Sequence, residues 1–242
     1  FTPIANALYI LRTWYVKTGR INLWIDVGAG DGGFLKKVRA KRKIGVELSS
    51  SGRLLMEASG IETMTEQEFL GKVNLRADVI SFWHVLEHIE NPWEYIASAV
   101  RNLGPHGSVV IGIPNGESLE LRVFKEHWFH LVPRHHLWFF SPKSIEIMLS
   151  KYNLSIKSID YFSLEHHLPG ILQSFINITS GSDSVLHRLV KRRENFSVMT
   201  FGDIFSCIFW LTLGLPFVFL MWIFNSMIKR SGTFVVIAAR SV

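Results

Sequence analysis

The run Ile25-Asp-Val-Gly-Ala-Gly-Asp-Gly-Gly33 decides the fold. Apolar Leu23–Val27 reads as a short strand, and Gly28 to Gly33 as a tight turn leaving its carboxyl end. Glycines let a backbone turn sharply and come close to a ligand where a Cβ would clash. Ile44–Leu48 reads as a second strand, which puts Glu47 at its end, where an acid can accept hydrogen bonds from ribose hydroxyls. Two ligand patterns overlap in the turn. Gly28, Gly30 and Gly33 fit the dinucleotide spacing G-x-G-x-x-G, while Asp26, Gly28, Gly30 and Gly32 fit D-x-G-x-G-x-G. An ordinary strand-to-helix turn is the plain alternative.

Outward from this turn, strands and helices alternate. Residues 1–20 read as a helix, with Ile4, Leu8, Leu11 and Tyr15 on one face. Helices are expected over Phe34 to Lys41, Ser51–Ala58 and from Asn91-Pro92 to Gly104; further strands over Ile61–Met64, Ala77–Trp83 and Ser108–Ile113. A helix capped by Ser141-Pro142 runs to Tyr152, and strands follow at Leu154–Phe162 and Thr233–Arg240. This order predicts an α/β fold, a doubly wound sheet with helices on both faces. Such sheets bind ligands at the carboxyl ends of their strands, here Gly28, Glu47, Trp83 and Pro114.

The D-x-G-x-G-x-G run resembles motif I of class I S-adenosylmethionine-dependent methyltransferases. Ala77-Asp-Val-Ile-Ser-Phe-Trp-His-Val-Leu-Glu-His88 is similar to the fourth-strand motif of the branch that includes ubiquinone-biosynthesis O-methyltransferases. Ile113-Pro-Asn115 resembles its fifth-strand tip, and Pro133-Arg-His-His-Leu-Trp-Phe-Phe-Ser141 its segment before a helix. The resemblance implies a Rossmann-like seven-stranded sheet with an antiparallel last strand, and S-adenosyl-L-methionine as methyl donor. It implies that Asp26, Gly28, Gly30, Gly32, Glu47, Phe82, Trp83 and His84 hold that donor.

Histidine suits the proton transfer that a hydroxyl acceptor needs, since its pKa lies near ambient pH. His136, in the family segment, is the first expected base or acceptor-positioning group; His84 and His88, flanking Glu87, stand behind it. Each of the latter could instead only brace a loop. His127-x-x-His130 with His135 or His136, and Glu126, would offer metal ligands, but no metal is assigned. His166-His167 reads as a loop pair without chemistry, and Lys36 to Lys43 as the solvated end of the first βα helix rather than a nucleic-acid surface.

Of 242 residues, 48% are hydrophobic and 19% charged, with a net charge of +6, which excludes a disordered chain. A single cysteine, Cys207, excludes a disulfide scaffold and a thiolate zinc site. The apolar excess lies in Ile204–Ile228, a run without charge between Asp203 and Lys229, interrupted at Gly214-Leu-Pro216. Its length alone would cross a bilayer. One crossing would put Thr233–Arg240 on the wrong side of the sheet it is expected to join. The run should therefore enter and return as two short helices, or lie in the interface. Val185, Leu186, Leu189 and Val190 with Arg188, Lys191, Arg192 and Arg193 read as a basic amphipathic helix for an anionic surface. A buried hairpin or a dimer interface would also explain the apolar run. Ile4–Leu11 has no signal-peptide features, and Phe1 reads as the start of a fragment or trimmed chain.

The expected organisation is a methyltransferase domain over 1–163 and 232–242, with 164–231 a helical membrane-associating insertion. The expected activity is methyl transfer to oxygen on a membrane-associated acceptor, a quinone precursor or a lipid-linked or cell-surface glycan. The expected location is the cytoplasmic face of a membrane, as a monotopic protein. Two rivals remain: an NAD-dependent oxidoreductase using Gly28, Gly30 and Gly33, and a non-catalytic membrane module of the same fold.

Overall fold

The computed structural model describes residues 3–16, 20–71, 74–132, 135–181, 185 and 199–241. Seven strands form one sheet: β1 Ile21–Val27, β2 Ala40–Val46, β3 Glu62–Met64, β4 Ala77–Trp83, β5 Leu103–Pro114, β6 Leu154–Asp160 and β7 Thr233–Arg240. Their order is β3-β2-β1-β4-β5-β7-β6, and β7 is antiparallel to both neighbours. The expected seven-stranded α/β sheet is present. Strand order reverses direction between β1 and β4, so the carboxyl tips of those strands flank the crevice where such sheets bind ligands.

Near-continuous apolar strands bury both faces. Leu23, Ile25, Val27, Phe82, Ile111 and Val236 face one core. It is covered by α3 (Glu66–Gly71), α4 (Pro92–Asn102) and α6 (Pro142–Ser150) through Phe69, Ile96 and Ile145. Trp24, Trp83, Val110 and Val235 face the other, covered by Phe34, Leu35 and Met56 of the segment after β1 and of α2 (Ser50–Glu57), with Tyr9 of α1 (Pro3–Thr13) packed against it. Local signals place several ends. Ser49 caps α2, Pro92 opens α4, and Ser141 with Ser144 makes a reciprocal capping box before Pro142.

Several expectations change. Residues 34–37 form turns and 38–39 are irregular where a helix to Lys41 is expected, because β2 already starts at Ala40, which pairs with Ile21. The basic run accordingly divides, with Lys41, Arg42 and Lys43 in β2 and Arg42 paired with Glu62. The first helix ends at Thr13, and β5 begins at Leu103, five residues before the expected start. Unexpected short helices are α3 and α5 (Leu119–Phe124).

After β6 the chain forms α7 (His167–Ser180), α8 (Phe201–Thr212) and α9 (Leu215–Met227). A third core joins them to α5 and its following turn, through Phe124, Trp128, Ile171, Ile176, Cys207, Val218 and Trp222. Val185 is buried there too; Leu186 to Arg193 lie outside the described residues. Between α8 and α9 the axis bends by 65°, at the expected Gly-Leu-Pro break. Asn115 then pins the return: its N–H bonds the Gly232 carbonyl at 2.8 Å and its side chain the Ser231 carbonyl at 2.9 Å.

Candidate active site

The glycine turn is braced on β2, with the Gly28 and Ala29 amides donating to the Val46 carbonyl at 2.8 and 3.0 Å. Gly28 and Gly32 have φ of 73° and 74°, which side chains rarely adopt, and a Cβ on either would strike Val85 or Met56. A Cβ on Gly30, at φ 58°, would meet nothing. The turn thus presents bare backbone to open space. Beside it Glu47 accepts from the Gly30 amide at 2.9 Å and, through its other oxygen, from Ser49 N at 2.9 Å. An open glycine cradle next to a carboxylate at the tip of β2 fits an adenosyl ligand with ribose hydroxyls to be held.

Asp26 turns inward. It is nearly buried and accepts from the Ser81 hydroxyl at 2.5 Å, while Ser81 accepts from Trp24 Nε1 at 2.8 Å. Burial pushes its carboxyl up to about 7, against the lowering effect of Ser81 and Arg12. Phe82, expected near the donor, is fully buried in the core and offers only backbone. Trp83 faces the opposite side, edge-on to Phe34 at 5.8 Å.

A narrow pocket opens at the tips of β4, β5 and β7. Leu11, Tyr15, Trp83, His84, Ile113, Leu164, Glu165, His166 and Phe234 line it. His84 enters with φ of 54°, a strained conformation for a non-glycine, held by its amide on the Gly112 carbonyl at 2.9 Å. Its ring lies 3.9 Å from that of His166, and its Nδ1 is 3.2 Å from Glu87. Burial lowers the His84 pKa well below normal, helped by His166 and Arg12, so the ring is neutral and a weaker base than an ordinary imidazole.

His136 and His88 do not line the pocket. They meet each other, ring centroids 4.7 Å apart, beside the buried Glu87, and burial lowers the His136 pKa. The two loops are tied by the Glu87 carbonyl, which accepts from Leu137 N at 2.7 Å and Trp138 N at 3.3 Å. Among the described residues, Glu87, His88 and His136 come together as metal-ligand types, whereas His127-x-x-His130 does not contribute to such a group.

Sequence reasoning missed three polar participants. Arg12 lies over the Trp83 ring at 5.0 Å and pairs with Glu165. His166 Nε2 sits 3.1 Å from both Arg12 and Glu165. His167 is fully buried against Glu120 at the start of α7, with Asn225 of α9 on the same carboxylate oxygen at 2.8 Å. The histidine pair is therefore not an idle loop. No local pattern marks the contacts of Arg12 with Glu165 and His166 or of Glu120 with His167 and Asn225, because each joins segments more than 40 residues apart.

A methyltransferase-domain family matches residues 15–159. Comparison with curated protein sequences gives no match. Among solved structures, a protein from Galdieria sulphuraria, proposed to be a sarcosine dimethylglycine methyltransferase, is similar at TM-score 0.58 and 15% identity, over 98% of this chain and 85% of that one. A SAM-dependent methyltransferase from Archaeoglobus fulgidus is similar at TM-score 0.55 and 17% identity, over 97% and 92%. The partner of the Trm112 methyltransferase activator from Haloferax volcanii, itself proposed to be a methyltransferase, is similar at 0.57 and 12%, over 98% and 90%. These likenesses concern the fold; the family match covers more than half of the chain. With the glycine cradle and Glu47 in place, the chain belongs to the methyltransferase-domain family and is a methyltransferase dependent on S-adenosyl-L-methionine.

Proposed function

We propose that this chain methylates an oxygen of a membrane-associated acceptor reached at the cytoplasmic surface of a membrane, a quinone precursor or a lipid-linked or cell-surface glycan. One observation carries the reading. The helices α8 and α9 expose Phe205, Ile208, Leu213, Phe217, Leu220, Phe224 and Met227, each more than 50% accessible, and the chain leaving them becomes β7, which lines the pocket. So many exposed large apolar side chains on two consecutive helices call for a partner. Among the described residues no single helix is long and apolar enough to cross a membrane. With 12 and 13 residues, α8 and α9 are each about 18–20 Å long against a hydrocarbon core of about 30 Å. Both ends of the segment join the sheet, through β6 and β7. That supports a unit, 164–231, which enters the interface and returns.

When bound, S-adenosyl-L-methionine supplies a sulfonium-linked methyl group. The glycine turn and Glu47 hold the donor, and Trp83, Ile113 and Phe234 wall the acceptor pocket against water. His84, on that wall, takes the acceptor proton; His136 and His88 act behind it. The test is incubation of purified protein with methyl-labelled donor and separate lipid and aqueous cell extracts. Label should enter an alkali-stable ether in the lipid fraction. His84→Ala should lower the rate about 10²–10⁴-fold without changing S-adenosylhomocysteine binding. Label confined to the aqueous fraction would refute the membrane acceptor.

A further inference from the structure

Glu87, His88 and His136 are held as a ligand set in search of an ion. Each offers one oxygen or nitrogen, and the three atoms lie within 4.8 Å of one another. Both imidazoles have their Nδ1 on a backbone carbonyl, His88 on His135 O and His136 on His130 O, each at 2.8 Å. A carbonyl only accepts, so both Nδ1 atoms carry the proton and both Nε2 atoms keep a lone pair. That fixed tautomer is how metal-binding histidines are oriented. The carboxylate adds an independent sign. Glu87 is fully buried; one oxygen faces His84, and Oε2 has no hydrogen-bond partner. A buried carboxylate oxygen left unpaired is costly unless something positive meets it.

We propose that Glu87, His88 and His136 bind one divalent first-row cation. Two imidazoles and one carboxylate suit Zn2+ or Mn2+ better than Mg2+ or Ca2+, which favour all-oxygen shells. Ligand atoms 2.0–2.2 Å from a shared ion stand about 3–3.5 Å apart, so small rotations of the exposed His88 and half-buried His136 rings complete the site. Three protein ligands leave coordination positions open. Glu87 also contacts His84 on the pocket wall, so the ion bears on the pocket through His84, by fixing the carboxylate that orients it, while His88 and His136 stay outside the pocket. That role rests on the proposed methyl transfer to oxygen; cation binding itself does not.

The experiment is calorimetric titration of chelator-treated protein with Zn2+ and, separately, Mn2+, alongside titration with S-adenosylhomocysteine. One equivalent of at least one cation should bind at micromolar concentration or tighter. Glu87→Gln and His88→Ala should each weaken it at least 100-fold, with S-adenosylhomocysteine binding unchanged as the check on folding. His88 is exposed, so its replacement keeps the test open should the Glu87 variant unfold. Absence of binding by the wild type, or equal binding by His88→Ala, would overturn the proposal. Neither result would touch the methyltransferase reading, which fails instead if S-adenosylhomocysteine does not bind.

Discussion

Arg12 and Glu165 form a two-point ion pair across 153 residues, with Nε to Oε2 at 2.7 Å and Nη2 to Oε1 at 2.5 Å. It fastens the first helix to the segment between β6 and α7, and it sets a guanidinium over the rings of Tyr9, Phe34 and Trp83 at 4.7, 5.7 and 5.0 Å. Both partners retain 11% of their side-chain exposure, so the charges are largely withdrawn from water. Trp83 and Glu165 line the pocket, and the clasp therefore builds part of its wall.

Removing one partner of this clasp should cost more than removing both. Arg12→Leu leaves the Glu165 carboxylate with His166 as its remaining partner and should lower unfolding free energy by about 2–3 kcal/mol, somewhat under the cost of a fully buried broken pair. Arg12→Leu with Glu165→Leu should recover a large part of that loss. Urea denaturation of the single and double variants checks this. A double variant as unstable as the sum of its singles would show that the pair is not coupled.

Glu47 joins the glycine turn to the start of α2 through the Gly30 and Ser49 amides, and holding the donor is its proposed role. Glu47→Ala should weaken S-adenosylhomocysteine binding by about 1–3 kcal/mol, the usual cost of deleting a charged hydrogen-bond acceptor. Calorimetry reads this directly. An unchanged affinity would leave Glu47 only the role of bracing Gly30 and Ser49.

The inward-turned Asp26 gives stability a pH signature. Its folded carboxyl holds a proton up to about 7, against an ordinary value of 3.8. Between these values the folded state binds more protons than the unfolded one, so this group makes stability fall as pH rises from about 4 to 7. The protein should lose on the order of a few kcal/mol more than Asp26→Asn over that range, because the amide still accepts from Ser81 but cannot ionise. Parallel pH profiles for the two proteins would assign Asp26 no part in the slope.

Much of the sheet was legible because its strands are short apolar runs bounded by glycine, proline or polar turns; Ala77–Trp83 and Thr233–Arg240 are observed with their expected limits. The helix expected after Gly33 was misread because apolar Phe34, Leu35 and Val38 satisfy helical spacing, yet pack as irregular turns when Ala40 is drawn into the sheet by Ile21. For the site, spacing could locate Glu47 beside the glycine turn, a contact within 17 residues. It could not reveal the Arg12–Glu165 clasp, the burial of His167 on Glu120, or which of His84, His88 and His136 faces the pocket. Those depend on how distant loops converge at the strand tips, and no local periodicity encodes that.

Flotation of the purified protein with vesicles containing phosphatidylserine tests the membrane account most directly. The protein should float with the vesicles, and high salt should release only part of it. Screening removes the share from Arg188, Lys191, Arg192 and Arg193, about 1 kcal/mol per basic residue, but leaves apolar insertion intact. Serine at Phe205, Ile208, Leu220 and Phe224, which are 56–65% accessible and outside the cores, should reduce flotation to the salt-sensitive share while S-adenosylhomocysteine binding persists. A wild-type protein that stays with the soluble fraction, or a serine variant that floats as well as the wild type, would contradict the claim that this face meets a membrane.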